Sequence, residues 1–358
     1  MASPVSGIRG RGALSNASGR FEAFTRETFD DGWTSDDAPA PKLRTTLTAE
    51  AARTIITRND SPDIGFDRSI NSYRGCEHGC VYCFARPTHA YLGLSPGIDF
   101  ESRLFFKPEA ARLLEKELSK PGYQPRFIAM GTNTDPYQPI ERRLQITREV
   151  LKVLQRFHHP VGITTKNALV ARDADILGEM AAEGLAAVSV SITTLDRSLA
   201  RAMEPRASTP GRRFEAVRAL TQAGVPTMVG FSPVIPGLND HELEAVLERA
   251  AEAGAVCARY VVLRLPLEIK DLFREWLEAE QPARARRVMS LVRQMRGGTD
   301  YDPEWTKRMR GEGPVADLIR TRFKAALRRY GLDRPFPALD VSKFRPPPKA
   351  GDQLSLFG

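Results

Sequence analysis

"RGCEHGCVYCFARPTH", residues 74–89, places Cys76, Cys80 and Cys83 within eight residues at the spacing C-x3-C-x2-C. Only one other cysteine, Cys257, occurs in the 358-residue chain. A disulfide takes two thiols, and a structural zinc site takes four ligands, most often from paired C-x2-C units. Three clustered thiols match neither count. A zinc knuckle completed by His78, His89 or Cys257 is the competing reading, weakened because no second C-x2-C unit exists. Iron–sulfur cubanes are the other thiolate-rich solution, commonly with four cysteines. Three thiolates leave one iron without a protein ligand, and an open position on a reducing cluster binds and cleaves a molecule rather than only passing electrons.

The cysteines follow a candidate strand, "RSINSY" (68–73), and the pattern repeats outward from it. Further β-branched runs are "RFIAMG" (126–131), "VGITTK" (161–166), "AAVSVSIT" (186–193), "PTMVGFSP" (226–233) and "ARYVVLRL" (258–265). Helix-like periodicity covers 107–119, 143–157, 173–184, 211–223, 239–253 and 268–279. Six β-α units predict a parallel sheet with crossover helices. The fold expected is α/β, a partial (β/α)6 TIM-type barrel. A flat doubly wound sheet is the alternative, but no G-x-G-x-x-G follows the first strand. In parallel sheets the chemistry gathers at the carboxyl ends of the strands. The unusual segments lie there: the cysteines after the first strand, "GTNTDPYQPIE" (131–141) after the second, "TKN" (165–167) after the third.

The barrel is bracketed by segments of different composition. Residues 1–45 mix Gly, Ser, Pro and charge without periodicity and read as a disordered N-terminal arm. The core domain spans 46–280. Residues 281–345 form a basic helical C-terminal extension, with helix candidates at 283–296 and 315–330. Residues 346–358 read as a flexible tail that carries "QLSLF" at 353–357. Residues 281–350 hold 17 Lys/Arg against 7 Asp/Glu, so the chain's net +8 comes from this region. Such a segment fits a polyanionic partner, or else a solvated helical face. No apolar run reaches the roughly 18–20 residues of a membrane span, and the N-terminus lacks an apolar signal core. A cytoplasmic protein is expected, and reduced cysteines clustered there point to a metal or catalysis.

"GCEHGCVYCFARPTH", "TDPYQPIE", "TTKN", "SITTLD" and "EPRASTPGRR", in that order, resemble the spore-photoproduct-lyase-like radical S-adenosylmethionine proteins, often labelled DNA repair photolyases. The resemblance runs from about residue 60 to 265. It implies a [4Fe–4S] cluster on Cys76, Cys80 and Cys83. Its open iron chelates the methionyl part of S-adenosylmethionine, and reductive cleavage yields a 5′-deoxyadenosyl radical. It further places Gly131, Thr132, Thr134 and Asp135 near the cofactor's amino group, Lys166 at its carboxylate, Ser191 near the ribose, and the backbone around Tyr82 beside the adenine. A reductant such as flavodoxin or ferredoxin is implied. One departure stands out: the lyase itself uses a cysteine in the loop after its second strand as hydrogen donor, where this chain reads "GTNTD".

The leading expectation is therefore a radical enzyme acting on nucleic acid. A radical enzyme modifying a peptide or small molecule, and a non-enzymatic zinc or iron–sulfur DNA-binding protein, are the competitors. Q-L-S-L-F resembles the pentapeptide by which bacterial DNA polymerases and repair proteins bind the sliding clamp. In that mode Gln353 bonds at the pocket rim and Leu356 and Phe357 are the apolar anchors, with Leu354 a further residue of the binding peptide.

Overall fold

Short β-branched and small-residue runs alternate with amphipathic helices along most of the chain, and a computed structural model shows how they assemble. It describes residues 10–22, 25 and 43–348. The strands are β1 (Thr46–Ala49), β2 (Ile56–Arg58), β3 (Arg68–Ile70), β4 (Tyr73–Arg74), β5 (Arg103–Phe106), β6 (Ile128–Met130), β7 (Val161–Thr165), β8 (Ala186–Ser191), β9 (Thr227–Val234) and β10 (Cys257–Val262). Six of them, β3 and β6 to β10, lie side by side in chain order and all parallel, with β2 antiparallel on the outer edge of β3. The sheet does not close, since β2 and β10 stand at its two ends. This is the partial barrel expected from the six β-α units, and it excludes the doubly wound alternative, whose strand order reverses.

The two faces of the sheet separate by residue type. Ile128, Met130, Val161, Ile163, Ala186, Val188, Val190, Val229 and Phe231 point outward into the main core. The helices that cover them bury spaced apolar positions. In Ile146–Arg156 these are Ile146, Val150, Val153 and Leu154, which repeat at the helical period. The opposite face carries small and polar residues, so the sheet encloses space instead of a second packed core.

Three regions depart from the sequence reading. Residues 10–22, expected within an unstructured arm, dock against the body: Ala13 is fully buried, and the Gly12 and Ala13 N–H groups each donate to the Glu101 carboxylate at 2.8 Å. A small sheet ordered β1-β5-β4 stands before the barrel and was not anticipated. The basic region does form helices, Pro282–Gln294 and Gly313–Arg329, but they are built into the main domain. Ala316, Ile319, Phe323 and Ala326 are buried, Phe323 packs on Tyr260 of β10 at 4.7 Å between ring centroids, and Arg322 makes a two-bond pair with Glu244. An apolar stripe runs through an Arg-rich sequence whose charges occupy the other face. No helix among the described residues is long and apolar enough to cross a membrane.

Candidate active site

The cysteine loop begins at the carboxyl end of β3 and β4 and is shaped by two glycines in left-handed conformation, Gly75 (φ 75°) and Gly79 (φ 67°). A side chain would be obstructed at both. A Cβ on Gly79 would lie 2.7 Å from Glu101 Oε2, and one on Gly75 2.8 Å from the Phe100 carbonyl. Behind the loop, fully buried Arg86 donates to the carbonyls of Cys80 (2.8 Å), Pro96 (3.1 Å) and Gly97 (2.9 Å) and to Glu101 Oε1 (2.5 Å). Glu101 in turn receives the docked N-terminal segment. A single buried ion pair thus ties together the loop, the helix Ile98–Ser102 and residues 11–13.

Cys76 and Cys80 are buried and Cys83 is partly exposed, and none is disulfide-bonded. Burial pushes the Cys76 thiol well up, and Asp135 and the other two thiols push it further. Burial and Glu204 do the same to Cys80, with the Lys166 ammonium pulling the opposite way. Three thiols close enough to feel one another, with one lysine among them, fit an iron–sulfur centre, whose thiolate charge needs a counterion. Among the described residues, no three His, Cys, Asp or Glu side chains close on a single metal ion. The histidines weighed as zinc ligands turn elsewhere. His78 has Nδ1 3.4 Å from Asp135 and Nε2 3.0 Å from the Asn167 amide, while His89 Nε2 bonds the Arg103 carbonyl at 2.9 Å. Cys257 opens β10, at the end of the sheet opposite the loop.

The second segment leaves β6 through Gly131 (φ 85°), where a Cβ would fall 1.9 Å from the Thr164 carbonyl. The Thr132 hydroxyl pairs with Asn71, and that of Thr134 donates to the Tyr73 carbonyl at 3.2 Å. Asp135 accepts from Tyr137 N (2.8 Å), Thr165 Oγ1 (2.7 Å) and Lys166 N (2.7 Å). Burial raises its pKa, but His78, Lys166 N–H and the Thr165 hydroxyl outweigh that, leaving it below the ordinary carboxylate value. Both oxygens are thus committed to shaping the loop and fixing the backbone of Lys166. The Lys166 ammonium lies 5.8 Å from the centroid of the Tyr82 ring. Among the described residues it makes no ion pair. Ser191 ends β8, on the strand beside Lys166, and its hydroxyl lies 3.7 Å from the point where a Cβ on Gly230 would be.

The structure therefore brings Cys76, Cys80, Cys83, Tyr82, Asp135 and Lys166 to one place, with Thr134 and Ser191 flanking it. Sequence reasoning missed the scaffold beneath them. The Tyr82 hydroxyl donates to Glu204 and meets Thr193 Oγ1 at 3.1 Å, and Glu204 also pairs with buried Arg213, which donates to the Ser191 carbonyl at 2.9 Å. Glu77 N–H donates to Gln138 Oε1 at 2.9 Å, clasping the first loop to the second. Its only sequence signal was charged and amide residues inside the quoted motifs. Gln353, Leu354, Leu356 and Phe357 lie outside the described residues.

With this geometry in view, comparison with known proteins is specific. A model of the Radical SAM superfamily matches residues 70–250. The chain is 35% identical over 274 residues to an uncharacterized protein of Mycobacterium tuberculosis, covering 76% of this chain and 78% of the relative. It is 28% identical over 173 residues to an uncharacterized protein of Methanocaldococcus jannaschii, covering 48% and 62%. Among solved structures, a variant of spore photoproduct lyase superposes with a TM-score of 0.52 at 17% identity, over 85% of this chain and 81% of that one. Spore photoproduct lyase complexed with dinucleoside spore photoproduct gives 0.50 at 17% identity, over 84% of each. At that identity the likeness speaks for the fold.

Proposed function

Because the chain belongs to the radical SAM superfamily, whose members use S-adenosylmethionine and an iron–sulfur cluster, we propose that Cys76, Cys80 and Cys83 hold a [4Fe–4S] cluster and that the enzyme acts on nucleic acid. The observation carrying this reading is the convergence of three thiols and one ammonium without a fourth thiol. Cluster and cofactor together supply reductive cleavage of the sulfonium bond and a 5′-deoxyadenosyl radical, the electron coming from a carrier such as flavodoxin or ferredoxin. The protein's part is positioning. Lys166 offers its ammonium to the cofactor carboxylate, and Asp135 fixes the backbone from which that side chain extends. Glu204 and Thr193 hold the Tyr82 hydroxyl, so that the backbone beside the adenine cannot shift. Ser191 stands one strand over, where the ribose is expected. The loop Gly131–Asp135 holds no thiol, so the cysteine hydrogen donor that the resemblance to the lyase would place there is missing. Support for a nucleic-acid substrate comes from the basic C-terminal helices and from the lyase's complex with a dinucleoside.

Anaerobic reconstitution with iron and sulfide is expected to give a brown protein that, once reduced, converts S-adenosylmethionine to 5′-deoxyadenosine. Replacing Cys76, Cys80 or Cys83 by Ala abolishes that conversion, whereas Cys257→Ala retains its iron. Loss of the cluster in Cys257→Ala refutes the three-ligand site. We propose the sliding clamp as a partner of the tail: a peptide covering residues 346–358 binds it at micromolar strength, and Leu356→Ala with Phe357→Ala eliminates binding. Protein that binds the clamp equally well without its last six residues, or not at all with them, overturns that role.

A further inference from the structure

The last strand carries a cation that pairs with no carboxylate among the described residues. Tyr260 packs outward on Phe323, and Ala258 and Val262 join the same outer core, so alternation turns Arg259 to the inner face. There, among the described residues, Arg259 Nε meets Met228 Sδ at 2.9 Å, and the residue keeps exposed surface. Among the described residues no carboxylate pairs with it. Register fixes its level. Arg259 aligns with Gly230 of β9, Gly230 with Ser191 of β8, and Thr165 of β7 with Val190, so Lys166 follows beside Ser191. Lys166, Ser191 and Arg259 therefore form one row, the first two assigned to the cofactor and the third left over.

A second guanidinium stands beyond the same strand, in the field of Asp63 but with no ion pair of its own among the described residues. Arg264 lies over the ring of Phe84 at 5.0 Å from the centroid, touches Met309 Sδ at 3.6 Å, and buries an Nε that finds no partner. Phe84 follows Cys83 directly and is 47% exposed, an unusual position for a large aromatic ring beside a buried loop. Further out, Trp305 is 45% exposed with Arg308 over its face at 4.3 Å. Asp63 already neutralises Arg308, so that pair offers a stacking surface without free charge.

Two guanidiniums laid over exposed aromatic rings, Arg264 on Phe84 and Arg308 on Trp305, with Arg259 on the strand that leads to Arg264, match an unstacked nucleic-acid strand, which presents a phosphate and a base face at every step. Resting on the nucleic-acid reading above, we propose that Arg259, Arg264 and Phe84 form the substrate track, in which the two arginines hold phosphates of a single strand and Phe84 stacks a base next to the cysteine loop. An acidic peptide supplies the charge but no repeating ring to stack.

The test uses reconstituted holoenzyme and fluorescence anisotropy with a fluorescein-labelled mixed-sequence single-stranded DNA 12-mer and the corresponding duplex, across a salt series. Arg259→Gln with Arg264→Gln is expected to weaken single-strand binding at least tenfold. It should also flatten the salt dependence by about 1.4 in log–log slope, about 0.7 for each phosphate no longer neutralised. Phe84→Leu is expected to weaken binding roughly five- to hundred-fold with the slope unchanged. Arg112→Gln, on an outer helix, leaves both quantities alone, and equal iron content shows that each variant retains its cluster. If wild-type protein binds and the double variant matches it in affinity and slope, the track is wrong while the nucleic-acid reading stands. If wild-type protein binds neither strand nor duplex, or if polyglutamate displaces the oligonucleotide at equal concentration, both fall.

Discussion

Lys166 owes its place to its neighbours: Asp135 holds its N–H, Tyr82 offers its ring face to the ammonium, and the Cys80 thiol lies within reach of its charge. In the proposed role, removing the ammonium would remove a charge-assisted hydrogen bond to the cofactor carboxylate without touching a sulfur. Lys166→Ala is therefore expected to weaken S-adenosylmethionine binding by about 1.5–3 kcal/mol, roughly ten- to hundred-fold, at unchanged iron content. Equilibrium dialysis with the cofactor checks this, and wild-type affinity in the variant removes Lys166 from the site. A second residue-scale consequence lies far from the chemistry. His159 is fully buried, with Nε2 2.9 Å from the Tyr123 hydroxyl, and burial pushes its pKa from 6.5 to about 4. Between those values the unfolded chain binds a proton that the folded chain refuses. The stability this group contributes at neutral pH is thus progressively lost as pH falls from 6.5 towards 4. From about pH 7.5 to about pH 5 the loss is about 2 kcal/mol. Urea denaturation at the two pH values should show it, and His159→Gln should flatten the dependence by that amount; an unchanged dependence sinks the assignment.

At the scale of elements, the six parallel strands and their helices were legible because hydrophobic period and strand length agree over long stretches. Val161–Thr165 and Ala174–Ala182 fall within the segments 161–166 and 173–184 marked from sequence. The strands β1, β2 and β5 were not, and β4 was merged with β3 in the candidate 68–73, since two to four residues with mixed exposure leave no period to detect. Docking of residues 11–13 was invisible for another reason: main-chain N–H groups meet a carboxylate some 88 residues away, and composition says nothing about backbone donors. The cysteine spacing and the "TDPYQP" and "TTKN" segments announced the site, but Arg86, Glu101, Glu204 and Arg213 are scaffold charges whose partners only the fold brings near. That clasp has a measurable weight. Glu101→Gln leaves Arg86 buried without its counter-charge, and breaking such a pair costs about 3–5 kcal/mol. The variant is expected to melt lower and to expose residues 10–22 to proteolysis before the barrel opens. Protease resistance equal to wild type shows that the segment is held by other interactions.

On the scale of the whole molecule, charge and core share one pair of helices, which changes what the basic region's removal means. Phe323, Ile319 and Leu332 complete the main hydrophobic core, and Asp333 bridges the backbone of Cys257 at the start of β10. Truncation before residue 281 would strip apolar cover from the last strand, and the protein is expected to aggregate whatever its charge does. The electrostatic question needs variants that keep the core. Arg286, Arg287, Lys324 and Arg328 are exposed, while Val288, Val292, Phe323 and Ala326 of the same helices are buried. Changing the four cations to Gln removes four charges with little packing, and surface changes of this kind usually move stability by no more than about 0.5 kcal/mol each. If this face meets phosphates, single-strand affinity falls and the salt slope drops by about 0.7 for every phosphate left unneutralised, up to about 2.8. The Phe84 contribution stays the same, because stacking at the cysteine loop does not depend on distant charge. Anisotropy across a salt series on the quadruple variant, alone and combined with Phe84→Leu, separates the two surfaces. An unaltered slope in a folded quadruple variant means that these four cations are a solvated face.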